Sequence, residues 1–253
     1  MIISVINLSD GAVSDGDLHR AIRAVNRQIA GDFAPYWGFG AQLRLEGRSG
    51  RGRARVAQAD MRGDAILYLH KPAKIDDAEG YHDLHFSGIP CGFVFLELSK
   101  KLREAWTVTL SHEALELIGD PEANLLVQGP HPTARKRTVF HWFEMCDAVQ
   151  DESYQIDNVR VSNFVLPLFF TSSEERGGRN DFLGTVTKGK TLRSFSANPG
   201  GYIGFFDPTI GKGGNDDTWS PPDDRRSAQR QAIKNKLRTG RGQLRRRRSA
   251  QSE

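Results

Sequence analysis

The chain has 253 residues, 26 of them glycine, with 26% charged residues and a formal net charge of +4. It is long enough to bury a core, no apolar run reaches the roughly 18 residues of a membrane span, and two cysteines, Cys91 and Cys146, are too few for a disulfide framework. The charge is unevenly placed: residues 225–253 carry eleven Lys/Arg against one Glu, so this tail is +10 and the rest of the chain is −6.

The start, MIISVINLSDGAVSDGD, is apolar but has no basic n-region and runs at once into acids, unlike a secretory signal. A cytoplasmic protein without membrane contact is expected. IISVINLS reads as a strand. A helix follows, capped by Ser14 or Asp15, with Leu18, Ala21, Ile22, Val25 and Ile29 recurring on one face and Gly31 and Pro35 ending it. AQLRLEG alternates like a strand, GRSGRGRARV like a solvated hairpin tip, and DAILYLHK reads as a buried strand. GIPCGFVFLEL gives a β-prone run after a Gly/Pro turn.

TLSHEALELIGDPEANL then reads as a short helix capped by Thr109 or Ser111. It ends near Gly119, because Asp120 precedes Pro121 and is pushed out of helical geometry. RTVFHWFEMCDAV and YQIDNVRVSNFVLPLFF read as strands around a turn, and NPGGYIGFFDP as a glycine-rich loop. The order of elements is α+β, with one domain over residues 1–214 and a linker and basic tail over 215–253.

The helix at 109–119 carries the chemistry. Residues four apart share a helical face, so His112 and Glu116 can point at one ion. Glu113 is rotated by about 100° and reaches a water beside that ion without binding it. This is the H-E-x-x-H metallopeptidase arrangement with glutamate in place of the second histidine, a permitted zinc ligand. The plain alternative is a charged helix whose acids are solvated. A third ligand is left open among Glu144, Asp120, Asp147, Glu122 and a histidine. Tyr81 and His82, in GYHDLH, are donor side chains suited to holding substrate. There is no phosphate-loop or dinucleotide fingerprint, so one divalent metal, zinc, is the cofactor expected.

SHEALELIGDPEANL, EMCDAVQ and YQIDNVRVSNFVLP, together with GYHDLH and AVNRQIAGDFAPYWG, resemble a group of bacterial and phage proteins with a zincin-like fold and an H-E-x-x-E helix. The resemblance runs over about residues 1 to 210 and implies a mixed N-terminal sheet with a backing helix, above a short active-site helix. It also implies a substrate cleft along an edge strand, and a peptide or protein as substrate. In gluzincin relatives the third ligand is a distant glutamate with an acid close behind it, a pair that Glu144 and Asp147 resemble. The metzincin spacing, with Gly119 seven and Glu122 ten after His112, would instead favour Glu122, although Asp120-Pro121 constrains the turn there. The departure from the family is Glu116 where the second histidine stands. The function implied is a metal-dependent hydrolase, a peptidase working through a metal-activated water. The alternative is a non-catalytic protein of the same fold, with a structural metal and a binding or assembly role in a phage. The tail at 225–253 suits nucleic acid or another anionic partner through counterion release.

Overall fold

The computed structural model describes residues 1–46, 63–71, 80–85, 88–172, 177–186, 189–211 and 213–222. The expected hairpin tip at 47–56 and the basic tail lie outside the described residues. The described residues form two compact units, one from 1–123 and 152–162, the other from 124–151 and 163–222.

The first unit opens with β1 (Ile2–Leu8) and helix α1 (Asp15–Gln28). Ser14 caps α1, its hydroxyl accepting from the Asp17 amide, and the expected stripe Leu18, Ala21, Ile22, Val25 and Ile29 is buried. The helical path does not stop at Gly31. It continues through a π-helical turn, Ile29–Phe33, into α2 (Ala34–Trp37), and is ended by Gly38 at φ 75°, a left-handed position glycine takes without strain. Strands β2 (Gln42–Glu46), β3 (Ala65–His70), β4 (Gly80–Leu84) and β5 (Pro90–Phe95) follow. They join β1 in a sheet of order β2-β1-β3-β5-β4, parallel except for the edge strand β4, which runs antiparallel to β5.

FLEL, read as the end of a β-prone run, instead turns at Phe95 into helix α3 (Leu96–Leu102). A short apolar run does not by itself distinguish strand from helix. Helix α4 (Trp106–Gly119) starts earlier than expected, with Ala105 at its N-cap, so Thr109 and Ser111 are buried inside it and do not cap it. Its end falls where Pro121 requires: Asp120 is extended at φ −137°, and its amide still donates to the Glu116 carbonyl. α4 packs on β4, β5, α3 and a later hairpin strand of this unit.

The second unit takes β6 (Leu126–Pro130) and β7 (Thr138–Trp142). The strand expected through FEMCDAV stops at Trp142, and Asp147–Val149 form a 3-10 turn. β8 (Ser153–Ile156) and β9 (Val159–Ser162) then return to the first unit as a hairpin. Asp157 and Asn158, both at positive φ (50° and 64°), make its turn, the backbone a two-residue hairpin loop needs. β10 (Ile203–Asp207) and β11 (Asn215–Trp219) complete a four-stranded antiparallel sheet of order β11-β10-β7-β6. Residues 215–219, expected to begin the linker, are thus an edge strand. No helix among the described residues is long and apolar enough to cross a membrane.

Candidate metal centre

Period-two geometry decides what β4 offers to α4. Gly80 pairs with Val94 and His82 with Gly92, and Leu67 and Leu69 pair with Gly92 and Val94 in turn. Paired residues lie on the same side of a sheet. His82 and Gly80 therefore share the face of Leu67, Leu69 and Val94, all fully buried. Tyr81 lies on the opposite face, its ring stacked 4.7 Å from Phe93. The two residues expected to hold substrate together are thus on opposite sides of one strand.

Gly80 is where β4 comes down on α4. A Cβ built there would lie 2.5 Å from Glu113 Oε1 and 2.7 Å from the Phe93 carbonyl oxygen. Only hydrogen fits.

The orientation of α4 is held by a closed polar ring. Ser111 donates from Oγ to Gln28 Oε1 (2.6 Å) and accepts from the Ser162 amide (3.0 Å), while Gln28 Nε2 donates to the Ser162 carbonyl (2.7 Å). All three residues are fully buried. The ring ties α1, α4 and the end of β9 together and satisfies backbone groups that would otherwise be costly to bury.

One residue further on, α4 presents the charged groups. His112, Glu113 and Glu116 are 4%, 3% and 4% exposed, so the solvated-face alternative does not hold. His112 Nε2 lies 3.0 Å from Glu116 Oε1, the i,i+4 pair expected from the sequence. From β4, His82 Nδ1 lies 3.6 Å from Glu116 Oε2 and 4.0 Å from Glu113 Oε2. Burial opposes ionisation of Glu116, but the charge and hydrogen bond of His112, followed by those of His82, outweigh it and hold the carboxyl well below the usual carboxylate range. His112 and His82 each lie beside Glu116 in a buried polar group, and each of these pairs belongs to a set of three donor residues able to hold a metal ion.

Two pairs in this group lie near the spacing of donors that share an ion. Donors bound about 2.0–2.2 Å from a tetrahedral ion are separated from one another by about 3.3–3.5 Å. The 3.0 and 3.6 Å separations around Glu116 bracket this range, and Glu113 at 4.0 Å stands slightly farther off.

Asp120 is buried in the turn that ends α4, its carbonyl accepting from the Ala123 amide, and Glu122 is exposed. Glu144 and Asp147 belong to the second unit. There they line a small cavity with His141, Trp142, Phe169 and Tyr202, and the Asp147 carbonyl accepts from the Tyr202 amide. What sequence reasoning missed is His82 as a partner of the helix: only strand pairing brings it to Glu116, 34 positions along the chain.

No family model, curated protein or solved structure matches this chain. The chemistry is therefore read from its own residues.

Proposed function

We propose that the protein is a metal-dependent hydrolase of zincin type, a peptidase, in which His112 and Glu116 hold one zinc ion and Glu113 is the general base. The observation that carries this reading is the buried i,i+4 pair His112–Glu116 at 3.0 Å, with Glu113 beside it. The mixed sheet with an antiparallel edge strand next to this helix supports the zincin part of the reading.

A bound divalent ion would supply Lewis acidity, lowering the pKa of a water toward neutrality. Glu113 would serve as the general base toward a water there and as the acid toward the leaving amine. Its position one residue after a ligand suits a group that would touch the water and not the ion. Glu144 is the further ligand proposed from the sequence. His112 as a neutral imidazole with two carboxylates leaves a divalent site formally neutral. Such a site acidifies water less than a three-histidine site does, so a slower enzyme is expected.

A second reading rests on the burial itself. Structural zinc sites are closed, whereas catalytic ones keep a position open to solvent, and every side chain of this cluster is at most 5% exposed. The protein would then be a non-catalytic zincin-fold binding or assembly component. Glu113→Gln and Glu116→Gln separate the readings. The first keeps size and metal and should lower turnover on a peptide library by about 10²-fold or more; the second should lose metal. Full metal content in the wild type with no cleavage leaves the structural reading.

A further inference from the structure

The geometry points to His82, supplied by the edge strand β4, as a protein ligand that shares a metal ion with Glu116 of α4. This rests on the metal reading above and adds a ligand to it.

Three observations carry the assignment. His82 is 1% exposed and lies on the sheet face that packs on α4. This position is poorly suited to meeting a substrate from solvent. Its Nδ1 lies 3.6 Å from Glu116 Oε2, close to the spacing of two donors on one tetrahedral ion. The approach is also specific to this strand. Gly80, two residues earlier on the same face, has no room for a Cβ against Glu113, which lets β4 sit close enough for an imidazole at position 82 to reach Glu116.

Imidazole and carboxylate are both donors that zinc accepts. The assignment has a mechanical consequence. Among the described residues β4 is the last strand of its sheet and pairs with β5 alone. A ligand on it makes the ion a staple between the edge strand and α4, so the amides of residues 80–84 should gain protection from hydrogen exchange when metal binds.

The test uses the full chain, stripped with a chelator and titrated with zinc against a chromophoric competitor. His82→Gln should weaken zinc binding by at least about 10²-fold, beyond the usual effect of a residue that only orients a ligand. It should also abolish the metal-dependent protection of residues 80–84. Wild-type zinc affinity in a folded His82→Gln protein overturns the assignment and leaves the metal reading standing. A wild type that takes up no zinc sinks both. If His82→Gln does not fold, His82→Cys decides with cobalt in place of zinc. A sulfur-to-cobalt charge-transfer band beyond any shown by the wild type supports ligation from position 82; bound cobalt without that band refutes it.

Discussion

Gly80→Ala probes the contact on which the site is built. The added Cβ would lie 2.5 Å from Glu113 Oε1, 2.7 Å from its Cγ and 2.7 Å from the Phe93 carbonyl oxygen. These gaps fall short of ordinary van der Waals contact by roughly 0.7–0.9 Å. Glu113 is the end of a flexible side chain and can turn aside. The Phe93 oxygen belongs to the β5 backbone and moves only if the ladder opens. Overpacking of this kind costs about 1–3 kcal/mol, partly offset by about 0.4–1 kcal/mol from the stiffer unfolded chain. The net loss of about 1–2 kcal/mol should lower the melting temperature by about 2–8 °C. Gly31→Ala is the control, because a Cβ there meets nothing within 4 Å; its melting temperature should be unchanged or slightly raised. Thermal melts of the three proteins, followed by circular dichroism, make the comparison. If Gly80→Ala melts at or above the wild type, β4 does not lie against Glu113 as described.

In the second unit, His141 sits beside the Phe195 and Phe205 rings, with Nε2 donating to the Pro130 carbonyl at 3.0 Å. Burial lowers its pKa to about 4, the Pro130 carbonyl pulling the other way and Arg135 and His131 adding to the depression. The unfolded chain takes up this proton first, near its ordinary pKa of about 6.5, so stability falls as the pH drops from about 6.5 toward 4, by about 2 kcal/mol at pH 5. Denaturant midpoints at pH 7 and 5 should differ less in His141→Gln than in the wild type; equal differences would contradict this. Ser111→Ala removes the buried hydroxyl that donates to Gln28 Oε1 and accepts from the Ser162 amide, and should cost about 1–3 kcal/mol in denaturant melts, while a loss under about 0.5 kcal/mol would mean that the polar ring does not hold α4. Deleting residues 220–253 should leave the melting temperature and metal content unchanged and remove most salt-sensitive binding to DNA or RNA. A large fall in melting temperature would show that the tail is part of the folded structure.

Much of the first unit was legible because its signals are local. The Leu18–Ile29 stripe and the strand at Ala65–His70 follow from periodicity, and the buried His112–Glu116 pair follows from helical spacing alone. Elements escaped where the pattern was ambiguous or polar. Leu96–Leu102 continues an apolar run from β5, so nothing in its composition marks the change to helix. Asn215–Trp219 looks like a linker because an edge strand with one partner can keep its other side polar, and only Thr218 in it is buried. The division into two units was hidden because the chain leaves the first at residue 123 and returns for the β8–β9 hairpin. His82 escaped for the same physical reason: its place beside Glu116 depends on strand register and on a glycine two residues away, neither of which has a signature along the chain.

The account stands or falls on whether the buried imidazole–carboxylate cluster holds an ion. The direct measurement is elemental analysis of the purified full chain, before and after incubation with zinc and gel filtration. The account predicts about one divalent ion per chain, and its loss in Glu116→Gln, because a neutral amide is a poor ligand. No bound metal in the wild type, even after zinc, would contradict it.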